Sequence, residues 1–179
     1  YENTHALNGL NLDIPKGSFF GLLGPNGAGK TTTINILTGL VNKSGGFAKI
    51  FGHDTVTDYR NARKLIGLAP QELKFDFFFN IRDMLALQGG YYGMSFRAGR
   101  DRADELLSQF GLSDKAKNNS RQLSGGMKRR LQIAKALMHD PPLIILDEPT
   151  AGVDIELRHM LWKFLTDQNK NGKTILLTT

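Results

Sequence analysis

Residues 24–31 read Gly24-Pro25-Asn26-Gly27-Ala28-Gly29-Lys30-Thr31, with Thr32 next. They fit G-x-x-x-x-G-K-[ST], a loop that joins a strand to a helix and cradles phosphate. The glycines let backbone N–H groups turn inward with no Cβ in the way. A helix starting near Gly29 adds the positive end of its dipole. Lys30 brings a point charge for β and γ phosphates, and the Thr31 hydroxyl suits Mg²⁺. The flanks agree: Ser18–Leu23 is a short apolar run that reads as a buried strand, and Lys30 to about Leu40 reads as a helix.

Working outward, the next feature is Leu143-Ile144-Ile145-Leu146-Asp147-Glu148. A continuous apolar run of this length is the mark of a central parallel strand. The carboxyl ends of parallel strands face the ligand crevice. Asp147 is therefore placed to bind Mg²⁺, and Glu148 to orient an attacking water and accept its proton late, since a free carboxylate is too weak a base to deprotonate water outright.

Strand and helix patterns alternate around these two motifs. Leu7–Ile14 alternates apolar and polar residues like a half-buried strand, and Pro15-Lys16-Gly17 reads as a turn. Lys49–Phe51, Ile66–Ala69 and Thr174–Thr178 read as short strands, and Ser124–His139 and Ile155–Gln168 as helices, the first stopped by Pro141-Pro142. From Glu72 to Gln122 helical patterns dominate; Ala103, Leu106, Leu107 and Phe110 share one face. The expected fold is an α/β core with a mostly parallel sheet and a helical insert: core 1–71 and 123–179, helical subdomain 72–122, one domain in all. Asn118-Asn119-Ser120 is the expected flexible joint.

Composition narrows the function classes. A chain of 179 residues with 40% hydrophobic and 22% charged residues suits one globular domain. There is no cysteine, which excludes disulfides and thiolate metal sites. No run approaches the ~20 apolar residues that span a bilayer, and no signal peptide is seen, so a role at a membrane requires another chain or segment to span it. The net charge is +6, but the one dense basic cluster, Lys128-Arg129-Arg130, is too short for a nucleic-acid stripe and reads as a solvated helix face.

The segment Leu123-Ser124-Gly125-Gly126-Met127-Lys128-Arg129-Arg130, just ahead of the acidic strand, resembles the LSGGQ signature of ABC ATPases. Ser124 can cap the helix there, while Gly125 and Gly126 bare N–H groups at its N-terminus as a second anion site. The resemblance covers the whole chain. It implies the P-loop NTPase core with an N-terminal antiparallel β part and a helical insert. It implies ATP and Mg²⁺ as ligands, and a homodimer in which Ser124, Gly125 and Gly126 of one copy close on the γ-phosphate held by Gly24–Thr31 of the other. By position, Gln71 resembles the Q-loop glutamine that reaches Mg²⁺ and the water, Ala151-Gly152-Val153-Asp154 the interface-crossing D-loop, and Tyr1 the aromatic that stacks on adenine. The resemblance thus makes Glu148, Lys30 and Gln71 the catalytic residues, and Thr31, Gln71 and Asp147 the metal ligands.

Three departures stand out: Met127 replaces the signature's glutamine, Ile155 follows Asp154 where proline is common, and the chain stops at Thr178-Thr179, just before the position of the family's switch histidine. The expectation is a C-terminally trimmed domain in which nucleotide binding is safer to expect than full turnover. Gly90-Tyr91-Tyr92-Gly93, LSGGMKRR and AGVDIELR resemble most the ATPases of bacterial ABC-2-type exporters. That resemblance implies a transmembrane permease partner, a place on the cytoplasmic side of the membrane held through that permease, and no direct nucleic-acid contact. Phe75, Phe77, Phe78 and Phe79 cannot all face one side, and the resemblance makes this region the docking surface for the permease. The alternative reading, an ABC ATPase acting on DNA or ribosomes, calls for a long coiled coil or tandem units; only about fifty residues separate Gln71 from Leu123, with no heptad array.

Overall fold

A computed structural model describes residues 6–150 and 153–179. Four strands, β1 (Phe19–Leu22), β4 (Ile66–Ala69), β5 (Leu143–Leu146) and β6 (Thr174–Thr178), form a parallel sheet in the order β1-β6-β5-β4. Helix α1 (Lys30–Leu37) follows β1 directly after the phosphate loop. A two-stranded antiparallel piece, β2 (Lys49–Ile50) and β3 (His53–Asp54), turns through Phe51 and Gly52, both at positive φ, as a tight hairpin turn requires. The remaining helices are α2 (Tyr59–Lys64), α3 (Ile81–Gly90), α4 (Phe96–Gln109), α5 (Gly125–Ala136) and α6 (Ile155–Lys170).

Strand alternation splits the packing into two cores. Leu143 and Ile145 of β5 and Leu176 of β6 join Ile34 of α1 and Ala62 of α2 on one face. Ile144, Leu146, Ile175 and Leu177 point to the other face, where Leu85, Leu106, Leu107, Leu131 and Leu161 of the longer helices cover them. The insert helices therefore share a core with the sheet. Their starts are fixed by side-chain caps: Asn80 accepts from Asp83 N–H, Ser95 from Ala98 N–H, and Ser124 from Met127 N–H.

The architecture agrees with the α/β expectation, and four local readings change. Leu7–Ile14 forms no strand: Gly9 sits at φ 64 and the Asn11 amide donates to the Gly9 carbonyl, local bonding that competes with a ladder. Ser18–Leu23 yields β1 at the sheet's edge, and Phe19 stays exposed rather than buried. Asn118-Asn119-Ser120 is tied down instead of loose. Ile81 N–H donates to the Asn118 carbonyl, the Asn119 amide to Phe77 O, and the buried Ser120 hydroxyl to Asp76 O. The Lys128-Arg129-Arg130 cluster is no solvated face, because Arg129 is 5% exposed and points inward.

Candidate functional site

The site lies along the edge where the carboxyl ends of all four parallel strands meet. Beyond β1 the chain enters Gly24–Thr31. Gly29 caps α1 at φ 87, and a Cβ there would lie 2.6 Å from Leu7 Cδ2 and 2.8 Å from the Ala6 carbonyl oxygen, so only glycine fits. Pro25, Asn26, Gly27 and Ala28 are exposed, while Lys30 is buried, its Nζ donating to the carbonyls of Gly24 at 2.5 Å and Pro25 at 3.2 Å. The ammonium is thus held inside the curl of the loop, with the first-turn N–H groups of α1 beside it. Thr31 is exposed and Thr32 half-buried on that first turn.

Beyond β5 come the two carboxylates, and they differ in setting. Asp147 is 3% exposed; its Oδ2 accepts from the Thr31 hydroxyl at 3.1 Å and its Oδ1 from the Thr178 hydroxyl at 2.5 Å. Glu148 is half-buried and takes a left-handed backbone, φ 48. Such a conformation costs a non-glycine residue of order 1–3 kcal/mol and persists only where surrounding bonds fix it. Two such bonds are its N–H to Thr178 Oγ1 at 2.9 Å, and its carbonyl accepting from Arg129. Its side chain accepts from the Gln71 amide at 2.8 Å, and Gln71 follows the end of β4.

Arg129, on α5, closes the back of the site. Its guanidinium donates to the carbonyls of Pro70 (2.9 Å) and Gln71 (3.3 Å) on one side. On the other it donates to those of Asp147 (3.2 Å), Glu148 and Pro149 (3.3 Å). Gln132 accepts from it at 2.7 Å and donates onward to Glu72 O at 2.6 Å. Burial pushes the Arg129 guanidinium below its ordinary value, and the Asp147 and Glu148 carboxylates act against that shift. Among the described residues no side-chain carboxylate bonds it; backbone carbonyls and the Gln132 side chain carry the contact.

The structure thus brings Lys30, Thr31, Gln71, Asp147 and Glu148 to one edge. Ser124, Gly125 and Gly126 lie apart, on the exposed N-terminus of α5, next to the start of α6: a Cβ on Gly126 would be 3.6 Å from Leu157 Cδ2 and 4.0 Å from Asp154 Oδ2. Asp154 caps α6, accepting from Leu157 N–H at 2.7 Å. Tyr1, Ala151 and Gly152 fall outside the described residues. Sequence reasoning missed Thr178 and Arg129. A threonine ending an apolar strand beside the acidic one was a readable signal for the first. Nothing local marked the second, because the carbonyls it reaches lie 18 to 59 residues away.

Among the described residues no group of three or more His, Cys, Asp or Glu side chains could hold a metal. The hydroxyl of Thr31 and the carboxylate of Asp147 are hard oxygen donors in contact. That set suits Mg²⁺, which is typically bound by one or two carboxylates plus substrate phosphates and water.

Comparison with known proteins agrees with this geometry. The family model described as ABC transporter matches residues 7–151. The Nod factor export ATP-binding protein I of Burkholderia orbicola (strain AU 1054) is 42% identical over all of this chain and 59% of its own length. The daunorubicin/doxorubicin resistance ATP-binding protein DrrA of Streptomyces peucetius is 40% identical over all of this chain and 54% of its own length. The chain therefore spans little more than half of these curated relatives. A solved ATP-binding cassette, dimeric in a post-hydrolysis state with ADP and Pi, superposes with a TM-score of 0.89 at 31% identity, covering 97% of this chain and 79% of the other. A phosphate loop, an acidic strand end and a capped glycine helix start, joined on one parallel sheet and matched over most of their length, show that this chain belongs to the ABC transporter family.

Proposed function

We propose that this chain is the ATP-binding and hydrolysing part of an exporter, working as two copies against a membrane-spanning partner. The observation that carries the reading is the gathering, at the carboxyl edge of the sheet, of Lys30 bonded within its loop, the bonded pair Thr31–Asp147 and the bonded pair Gln71–Glu148. Relatives named for Nod factor export and drug resistance support the exporter class, and a dimeric cassette supports the two-copy assembly.

The N–H groups of Gly24–Thr32 and the Lys30 ammonium hold the phosphates of ATP, and Tyr1, which lies outside the described residues, is assigned to its adenine from the sequence resemblance alone. Thr31, Asp147 and Gln71 would hold Mg²⁺, which would neutralise phosphate charge there. Glu148 orients a water toward the γ-phosphorus and takes its proton as the bond to the β-γ bridging oxygen breaks, leaving ADP and phosphate. Ser124, Gly125 and Gly126 lie exposed and away from the chain's own phosphate loop, as groups serving the partner copy's nucleotide must. Loss of the γ-phosphate removes that bridge, the pair opens, and the opening drives the partner.

In this reading residues 1–71 and 123–179 are the nucleotide-binding core and 72–122 the helical subdomain. Between them runs a groove lined in part by Arg63, Pro70, Phe75, Tyr92 and Lys135, and Phe77, Phe78 and Phe79, which follow Phe75 in the chain, are exposed. This is the side proposed to meet the permease, on the cytoplasmic side of the membrane. No helix among the described residues is long and apolar enough to cross a membrane.

Calorimetry of MgATP binding to the parent and to Lys30→Ala tests the reading. One charge-assisted contact to phosphate is worth about 1.5–3 kcal/mol, so the variant should bind roughly 10- to 100-fold more weakly. Equal affinity in the two proteins would overturn the assignment of the loop.

A further inference from the structure

We infer that Arg129 is a positioning residue that locks the Gln71 loop and the Glu148 strand end into one catalytic unit and ties that unit to the helix carrying Ser124–Gly126. The inference rests on the ATPase reading above and extends it to a residue of the signature-like segment that has no role in that reading.

The geometry makes the case. One guanidinium reaches the carbonyls of Pro70 and Gln71 after β4 and those of Asp147, Glu148 and Pro149 after β5. These two loops carry the Gln71 and Glu148 side chains, which bond each other at 2.8 Å. The Arg129 contact also falls on the carbonyl of the residue with the left-handed backbone, at φ 48, which needs outside support to persist. Gln132 fixes the guanidinium's orientation from one turn along the same helix. A buried cation that meets no side-chain carboxylate is poor value as a plain stabiliser, and an apolar residue of similar size fills such space at less cost. What the planar fork supplies is direction, five N–H donors set at fixed angles to two separate loops. Because Arg129 stands on α5, a movement at the Ser124–Gly126 end reaches both the Gln71 loop and the Glu148 strand end through its side chain, while Gln132 of the same helix reaches only the first, at Glu72. In the two-copy assembly, that makes Arg129 the link between the nucleotide a copy touches with α5 and the one it hydrolyses.

The test uses Arg129→Lys and Arg129→Gln in the full-length protein. Lysine keeps the charge but offers one nitrogen, which cannot span both loops. The kcat for ATP should fall about 10- to 100-fold, as loss of reacting geometry does, with Kd for MgATP unchanged. Combining Arg129→Lys with Gln71→Ala should cost less than the two effects multiplied, since both act on one unit. Amide exchange, which needs no ATPase activity, should speed up together at Gln71 and Glu72 and at Asp147 and Glu148 in both variants. Exchange that loosens only α5, an unchanged kcat, or a Kd that worsens in step with kcat would overturn the inference. So would failure of both variants to fold, which would make Arg129 a residue of the fold alone. A parent protein that neither binds nor hydrolyses ATP would overturn the ATPase reading instead, and the exchange result would then decide whether the two loops move as one.

Discussion

Glu148 occupies a backbone conformation that few residues with a side chain adopt, and its carboxylate accepts from the Gln71 amide. Asp147, one residue earlier, is the more buried and is held by two hydroxyls. In the proposed mechanism this difference of environment assigns Asp147 to the metal and Glu148 to the water. Glu148→Gln keeps the shape and the hydrogen-bonding capacity but loses the proton acceptor. ATP binding should be retained while hydrolysis falls about 10²- to 10⁴-fold, and closed pairs should accumulate with ATP on a sizing column. Ordinary turnover in this variant would remove Glu148 from the mechanism.

At the scale of elements, β4 and α5 pack so closely that the contact leaves no room for a methyl group. A Cβ on Gly67 would fall on the Ala136 carbonyl and 2.6 Å from Pro141 Cγ. Gly67→Ala should destabilise the chain by about 1–3 kcal/mol, at roughly 2–4 °C of Tm per kcal/mol, read by thermal unfolding. An unchanged Tm would mean that the pair can slide apart freely. The strands and helices with strong local signals were legible: β4, β5 and β6 form where their apolar runs predict, and Ser124 caps α5 as its type suggests. What was not legible depends on partners far along the chain. The Leu7–Ile14 pattern has strand periodicity but bonds locally, and Asn118–Ser120 has loop composition but is held from residues 76–81. Arg129 looked like one more surface charge because its acceptors are backbone carbonyls, which every residue type offers and no composition reveals. The catalytic set itself was readable because each member belongs to a short motif. The contact that joins the Gln71 loop to the strand end belongs to none.

For the whole molecule, the nucleotide edge and the proposed membrane side are different surfaces of one body joined through a shared core. Phe75 packs against that core, whereas Phe78 is 80% exposed with its ring 4.4 Å from that of Phe77. Phe78→Ser should leave the fold and ATP binding intact and reduce co-purification with the permease; undiminished recovery would place docking elsewhere. β5 has a further consequence. Its four side chains alternate between the two cores, and Asp147 comes next in the chain. A slip of one residue would turn every one of these side chains to the wrong face and carry the carboxylate away from Thr31 and Thr178. Packing therefore acts as quality control on the chemistry: a molecule that has folded has, by the same act, delivered its carboxylate. Heat or a core substitution then depletes the number of working copies without slowing those that remain.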